Sequence, residues 1–145
     1  MRTAVRPTEQ PATGAEPATI LVSLELSQSN WVITIQLPTS PKMSRHSVKA
    51  GDTAKLRVLL QAQRAKLAQR SAGPASIVSI QEAGLDGFWV HRWLAANDIE
   101  SHVVDAASIA APRRKRRAKS DGIDGETLVR TLAALAEARG GLASR

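Results

Sequence analysis

Two aspartates, Asp121 and Asp124, stand three residues apart directly after the densest positive run of the chain, "RRKRRAKS" at 113–120. Acids in a solvated loop would neutralise nearby arginines without any fixed spacing. A spacing of three puts both carboxylates on one face of a helix. Two further acids stand where a carboxylate is costly or well placed. Glu25 interrupts "TILVSLELS", in which Ile20, Val22, Leu24 and Leu26 share one face of a strand while Leu21, Ser23 and Glu25 share the other. A half-buried acid there needs something to compensate its charge. Glu82 closes the apolar run "SIVSIQE".

Carboxylates brought together repel, and one or more pKa values rise unless cations share the site. Hard divalent ions such as Mg2+ take oxygen ligands at about 2.0–2.1 Å. Two such ions roughly 3.5–4 Å apart stabilise the attacking and leaving oxygens of an in-line displacement at phosphorus. Glu25, Glu82, Asp121 and Asp124 are therefore the expected ligands of Mg2+ or Mn2+ and the expected catalytic acids. Arg113, Arg114, Lys115, Arg116, Arg117 and Lys119 are the expected grip on a phosphate backbone beside them. A plainer reading stays open: an Asp at a helix N-cap is common and worth about 1 kcal/mol, a second Asp in the first turn suits the helix dipole, and a basic run is often only a solvated loop.

The elements that would position these acids follow from hydrophobic period. Residues 1–18, with Pro7, Pro11 and Pro17, read as a disordered tail. Two strands, "TILVSLELS" and "WVITIQL", are separated by the short turn "QSN" and so form an antiparallel hairpin, with Trp31, Ile33, Ile35 and Leu37 on one side. A weaker third strand is expected at 44–50. Asp52 reads as the cap of a helix reaching about Arg70, with Leu56, Leu59, Leu60 and Leu67 as its apolar stripe. "SIVSIQE" is then a buried strand and "LDGFWVHRWLAAND" a helix with Phe88, Trp89, Trp93 and Leu94 as core. "IESHVVD" is the next strand, residues 107–119 a basic connection, and "DGIDGETLVRTLAALAEAR" the last helix. Leu128, Leu132 and Leu135 would form its buried face, and Gly140–Gly141 would stop it.

The order β-β-β-α-β-α-β-α predicts an α/β fold: a mixed sheet with helices on its faces, in the ribonuclease H-like arrangement. In that arrangement Glu82 lies at the end of a strand parallel to the first, near Glu25, and the last helix packs over the first strand.

Composition narrows the partners. The chain has 145 residues with 43% hydrophobic, which suits one folded domain. A net charge of +7 and a pI near 10.8 favour a polyanion as partner. Aromatic residues amount to 3% with no Tyr, which disfavours a single-strand reader built on stacked aromatic platforms. With no Cys there are no disulfides, thiol chemistry or thiolate zinc sites. His46, His91 and His102 share no metal-ligand spacing and read as structural or surface residues. No run of about 18 apolar residues is present and the N-terminus has no signal-like core, so a cytoplasmic protein without a membrane span is expected.

The blocks "EAG" at 82–84, "HVVD" at 102–105 and "KSDGIDGE" at 119–126, with "LELSQSNWVITI" ahead of them, occur in one order over roughly residues 19–136. In this they resemble the DEDD transposases of the insertion-sequence one-ten family. The resemblance implies a RuvC-related domain spanning 19–139, followed by a short tail at 140–145. It also implies Mg2+ held by Glu25, Glu82, Asp121 and Asp124, and action in DNA recombination at insertion-element ends with a bridging guide RNA. DNA, a guide RNA and a second copy of the chain are the partners to expect.

Three features depart from the family pattern. Glu25 stands where the family has Asp, a methylene that moves the carboxylate by about 1.5 Å, and metal sites are unforgiving at that scale. Gln28 replaces a Lys. The family's second half, with its catalytic serine, has no counterpart in these 145 residues, which leaves a fragment, a separately encoded domain and a decayed remnant as open readings. The functional reading is accordingly double: a metal-dependent catalytic domain, or a degenerate DNA- or RNA-binding module on the same fold.

Overall fold

The computed structural model describes residues 18–70, 75–84, 87–105 and 123–144. The elements are β1 (Ala18–Leu26), β2 (Asn30–Gln36), β3 (Met43–Lys49), α1 (Thr53–Ala68), β4 (Ala75–Glu82), α2 (Gly87–Ala96), β5 (Glu100–Val104) and α3 (Gly125–Ser144). This is the order expected from the sequence. The expected tail lies outside the described residues except for Ala18, which opens β1.

The strands form one five-stranded mixed sheet in the order β3-β2-β1-β4-β5. β1–β2 and β2–β3 are antiparallel, as short hairpin links require, whereas β4 pairs parallel to both β1 and β5. The sheet with its three helices is α/β and compatible with a ribonuclease H-like fold.

Alternation along each strand sorts the residues into two cores. Ile20, Val22 and Leu24 of β1, Trp31, Ile33 and Ile35 of β2 and Ile77 of β4 are buried with Leu56, Leu60 and Leu67 of α1 and Val90 and Leu94 of α2. On the opposite face Ile80 is buried with Ile123 and with Leu128 and Leu132 of α3, and Leu21, Val78 and Val104 pack against them. Burial of each such side chain contributes about 1.5–3 kcal/mol. That smaller core is what presses the start of α3 onto the polar stretch of β1.

Asp52 caps α1 as expected, its Oδ1 accepting the Lys55 N–H at 3.0 Å. Three expectations are corrected. Phe88 and Trp89 are not core: they are 73% and 37% exposed. Val90 and Leu94, four apart, set the inward phase of α2, and Phe88 lies two residues, about 200°, from that phase. Trp89 instead leans on Trp31, with ring centroids 5.7 Å apart. Leu135 is 40% exposed, whereas Leu128, Val129 and Leu132 form the buried stripe of α3 among the residues whose burial is described. Finally, α3 continues through Gly140–Gly141 to Ser144. A glycine within a helix costs about 1 kcal/mol relative to Ala but does not forbid the helix.

Candidate functional site

β1 presents Ser23 and Glu25 on the face that α3 covers, and both side chains reach the same residue. The Ser23 hydroxyl donates to the Gly125 carbonyl at 3.0 Å, and the Gly125 N–H donates to Glu25 Oε2 at 2.9 Å. Two side chains one strand-period apart thus hold both backbone polar groups of a residue 100 positions away from Glu25.

Glu82 arrives from β4. The parallel register pairs Leu24 with Gln81, one residue before each acid, so Glu25 and Glu82 emerge side by side on neighbouring strands and the same face. Glu82 Oε1 accepts the Ile123 N–H at 3.0 Å. The two glutamates therefore grip the turn on either side of Asp124. The carboxylate of Asp124 is the N-cap of α3: its Oδ1 accepts the Thr127 N–H at 2.8 Å, and its carbonyl accepts the Leu128 N–H at 3.0 Å. These N–H groups would otherwise be unsatisfied at the helix start, and the partial positive charge there favours the carboxylates.

Gly125 permits this approach because it has no side chain. A Cβ at that position would run into Thr34 Oγ1 of β2, stand 2.7 Å from Glu25 Oε2 and 3.0 Å from Ser23 Oγ. Ser23 and Thr34 are fully buried, and among the described residues Thr34 Oγ1 has no hydrogen-bond partner. Sequence reasoning passed over Ser23, Thr34 and Gly125. The signal for Ser23 was its shared face with Glu25, and for Gly125 its place in the first turn of a helix, where an alanine would otherwise be favoured.

Burial pushes the Glu25 carboxyl above its ordinary range; the Gly125 N–H and the Arg45 guanidinium pull it back, and the Asp124 carboxylate adds to the rise. A cation beside Glu25 and Asp124 would relieve the same strain.

Of the expected site residues, Glu25, Glu82 and Asp124 meet at the 123–125 turn. Asp121 lies outside the described residues, as do Arg113, Arg114, Lys115, Arg116, Arg117 and Lys119. The donor chemistry suits a hard cation, since Glu25 and Glu82 each commit only one oxygen to a backbone N–H. Among the described residues, however, no three His, Cys, Asp or Glu side chains by themselves form a metal-holding group. The histidines serve elsewhere: His46 contacts Ser44, His91 contacts Ser101 and His102 contacts Glu100.

Two clefts, of about 350 Å³ beside the β2–β3 turn and about 500 Å³ between β3 and α1, are lined by none of these acids. The acid cluster lies where β1 and β4 end beside the start of α3. Among the described residues no helix is long and apolar enough to cross a membrane.

The acids thus stand at one end of a mixed sheet compatible with a ribonuclease H-like fold. The chain is 51% identical over 130 residues, 89% of its length, to a protein of Sinorhizobium fredii (strain NBRC 101917 / NGR234) named "Putative transposase y4rJ". It spans 33% of that relative's length. A scan against models of known protein families finds no match.

Proposed function

We propose that this chain is the metal-binding, ribonuclease H-like part of a DNA transposase of the DEDD type, acting on DNA phosphodiesters. The observation that carries the reading is the meeting of Glu25 and Glu82, from two parallel strands, on the turn that bears Asp124. The name of the Sinorhizobium fredii relative supports it. In this reading Asp121, three residues before Asp124, completes the oxygen set for Mg2+ or Mn2+. The bound ions would supply a polarised phosphorus and an activated oxygen nucleophile. The chain's own residues have separate tasks. Ser23 and Glu25 lock the start of α3 in place, Glu82 sets the turn before it, and Asp124 both caps the helix and faces Glu25. Arg113, Arg114, Lys115, Arg116, Arg117 and Lys119 would carry the phosphate backbone, and a guide RNA would be a second polyanion for the same charge.

Calorimetric titration of the intact chain with Mn2+ tests the proposal. Binding is expected for the native sequence and is lost in Asp121→Asn and in Asp124→Asn. Asn at 124 still caps the helix, so folding should survive. Absence of any divalent binding by the native chain would remove the catalytic reading.

A second reading rests on the hydrogen bonds themselves: each described acid already satisfies a helix-start N–H, as structural acids do. On that account the fold is a nucleic-acid-binding module in which Glu25, longer than Asp, serves only α3. It predicts DNA binding that persists in Asp124→Asn with no divalent heat in either protein.

A further inference from the structure

β3 is an edge strand of the sheet, and its residues alternate between two environments. Val48 joins the core on the α1 side. Arg45, Ser47 and Lys49 point to the other face, the one that carries Glu25. The register shows how close they stand: Arg45 pairs with Thr34, Ser47 with Val32 and Lys49 with Asn30, while Val32 in turn pairs with Glu25. Moving across the sheet from Glu25, one therefore meets Val32 and then Ser47, with a cation on either side of it. At about 4.8 Å per strand, β3 runs about 10 Å from β1, within the span of an arginine and a glutamate side chain.

This strip is exposed and its charge is not spent. Arg45, Ser47 and Lys49 are all exposed, and α3 packs on β1, β2 and β4. Neither Arg45 nor Lys49 forms an ion pair among the described residues. From Ser27 to Gly51 the sequence holds no Asp or Glu.

A phosphodiester backbone cannot approach a cluster of carboxylates without repulsion, and positive charge flanking the approach offsets that cost. Arg offers a planar fork that matches phosphate oxygens, Ser a hydroxyl donor and Lys a mobile point charge. Arg45 and Lys49, four residues apart, are about 13 Å apart along the strand. That is three to four nucleotides of duplex at about 3.4 Å of axis each.

We infer that the exposed row Arg45–Ser47–Lys49 on β3 is a phosphate track that leads one strand of DNA to the Glu25–Glu82–Asp124 end of the sheet. The inference rests on the functional reading above and assigns it a binding surface on β3. The rival role for such charges is protection of an edge strand against pairing with another sheet. That role would raise solubility and leave DNA affinity untouched.

The test is fluorescence anisotropy of a labelled DNA duplex with the full chain, native and Arg45→Ala/Lys49→Ala, over a range of salt. Affinity near 0.1 M salt should fall about tenfold or more, and the slope of log K against log salt should become shallower by about 1.8, two phosphate contacts at 0.9 each. Arg45→Lys/Lys49→Arg should keep the native slope. Both side chains are exposed, so the thermal midpoint should match that of the native chain. Unchanged affinity and slope in the alanine pair, with native DNA binding present, overturns the track but leaves the metal site standing. A loss seen with RNA oligonucleotides alone overturns the assignment to DNA. Absence of DNA binding by the native chain overturns the track together with the reading that the chain acts on DNA, whereas the metal site is decided by the Mn2+ titration alone.

Discussion

Gly125→Ala is the substitution that most directly probes the anchoring of α3. The added methyl would stand 2.7 Å from Glu25 Oε2 and 3.0 Å from Ser23 Oγ, besides meeting Thr34 Oγ1. The first of these is about 0.7 Å short of ordinary carbon–oxygen contact near 3.4 Å. Ser23 and Thr34 are fully buried on a central part of the sheet and cannot swing away, so α3 must lift or Glu25 must leave. Overpacking of this kind costs about 1–3 kcal/mol. Loss of the Gly125–Glu25 bond, which leaves a partly buried carboxylate short of a donor, costs about 1–3 kcal/mol more. Against this, alanine gains up to about 1 kcal/mol in helix propensity. A net loss of about 2–3 kcal/mol is expected, a drop of about 1 M in the urea midpoint for a typical m value. Adding Thr34→Ala should recover at least about 1 kcal/mol of it, measured as a coupling energy in a double-mutant cycle. If Gly125→Ala proves as stable as the native chain or more so, helix propensity governs this position and the close fit of α3 on β1 and β2 is wrong.

Two further outcomes follow from the same geometry. Burial raises the folded-state pKa of Glu25, so the folded chain holds that proton more tightly than the unfolded one. Its contribution is present below the unfolded value near 4.5 and is lost as pH rises through the folded value. In metal-free buffer Glu25→Gln, which stays neutral, should therefore match the native thermal midpoint at about pH 4 and exceed it at about pH 7; a constant difference at both would contradict the cause assigned. Leu128→Ala, in the core under α3, should cost about 2–5 kcal/mol in urea unfolding, whereas Leu135→Ala should stay within about 0.5 kcal/mol. Equal losses would mean that α3 is seated in a different phase.

Much of this could be seen in the amino-acid sequence because it is written in local period. Alternation in "TILVSLELS" and "WVITIQL" separates the faces of β1 and β2, and the four-residue repeat of Leu56 and Leu60 marks α1. Asp52 was readable as a cap because the cap and its N–H partner, Lys55, are three residues apart. The placement of Glu82 beside Glu25 needed one step more, the inference of a parallel neighbour, and the register confirms it.

What period could not reveal is phase and register between distant elements. Phe88, Trp89 and Leu135 have core-like side chains, but whether such a residue faces inward depends on how its helix is rotated against a sheet assembled from remote strands. Gly125 looks like an ordinary helix-start residue until Thr34, Ser23 and Glu25 are brought up against it from two other strands. The acids that could meet were legible one by one from charge set against apolar surroundings. Their meeting at the 123–125 turn was decided only by tertiary packing, because the Glu25–Gly125 bond joins residues 100 apart and no local pattern encodes a contact of that range.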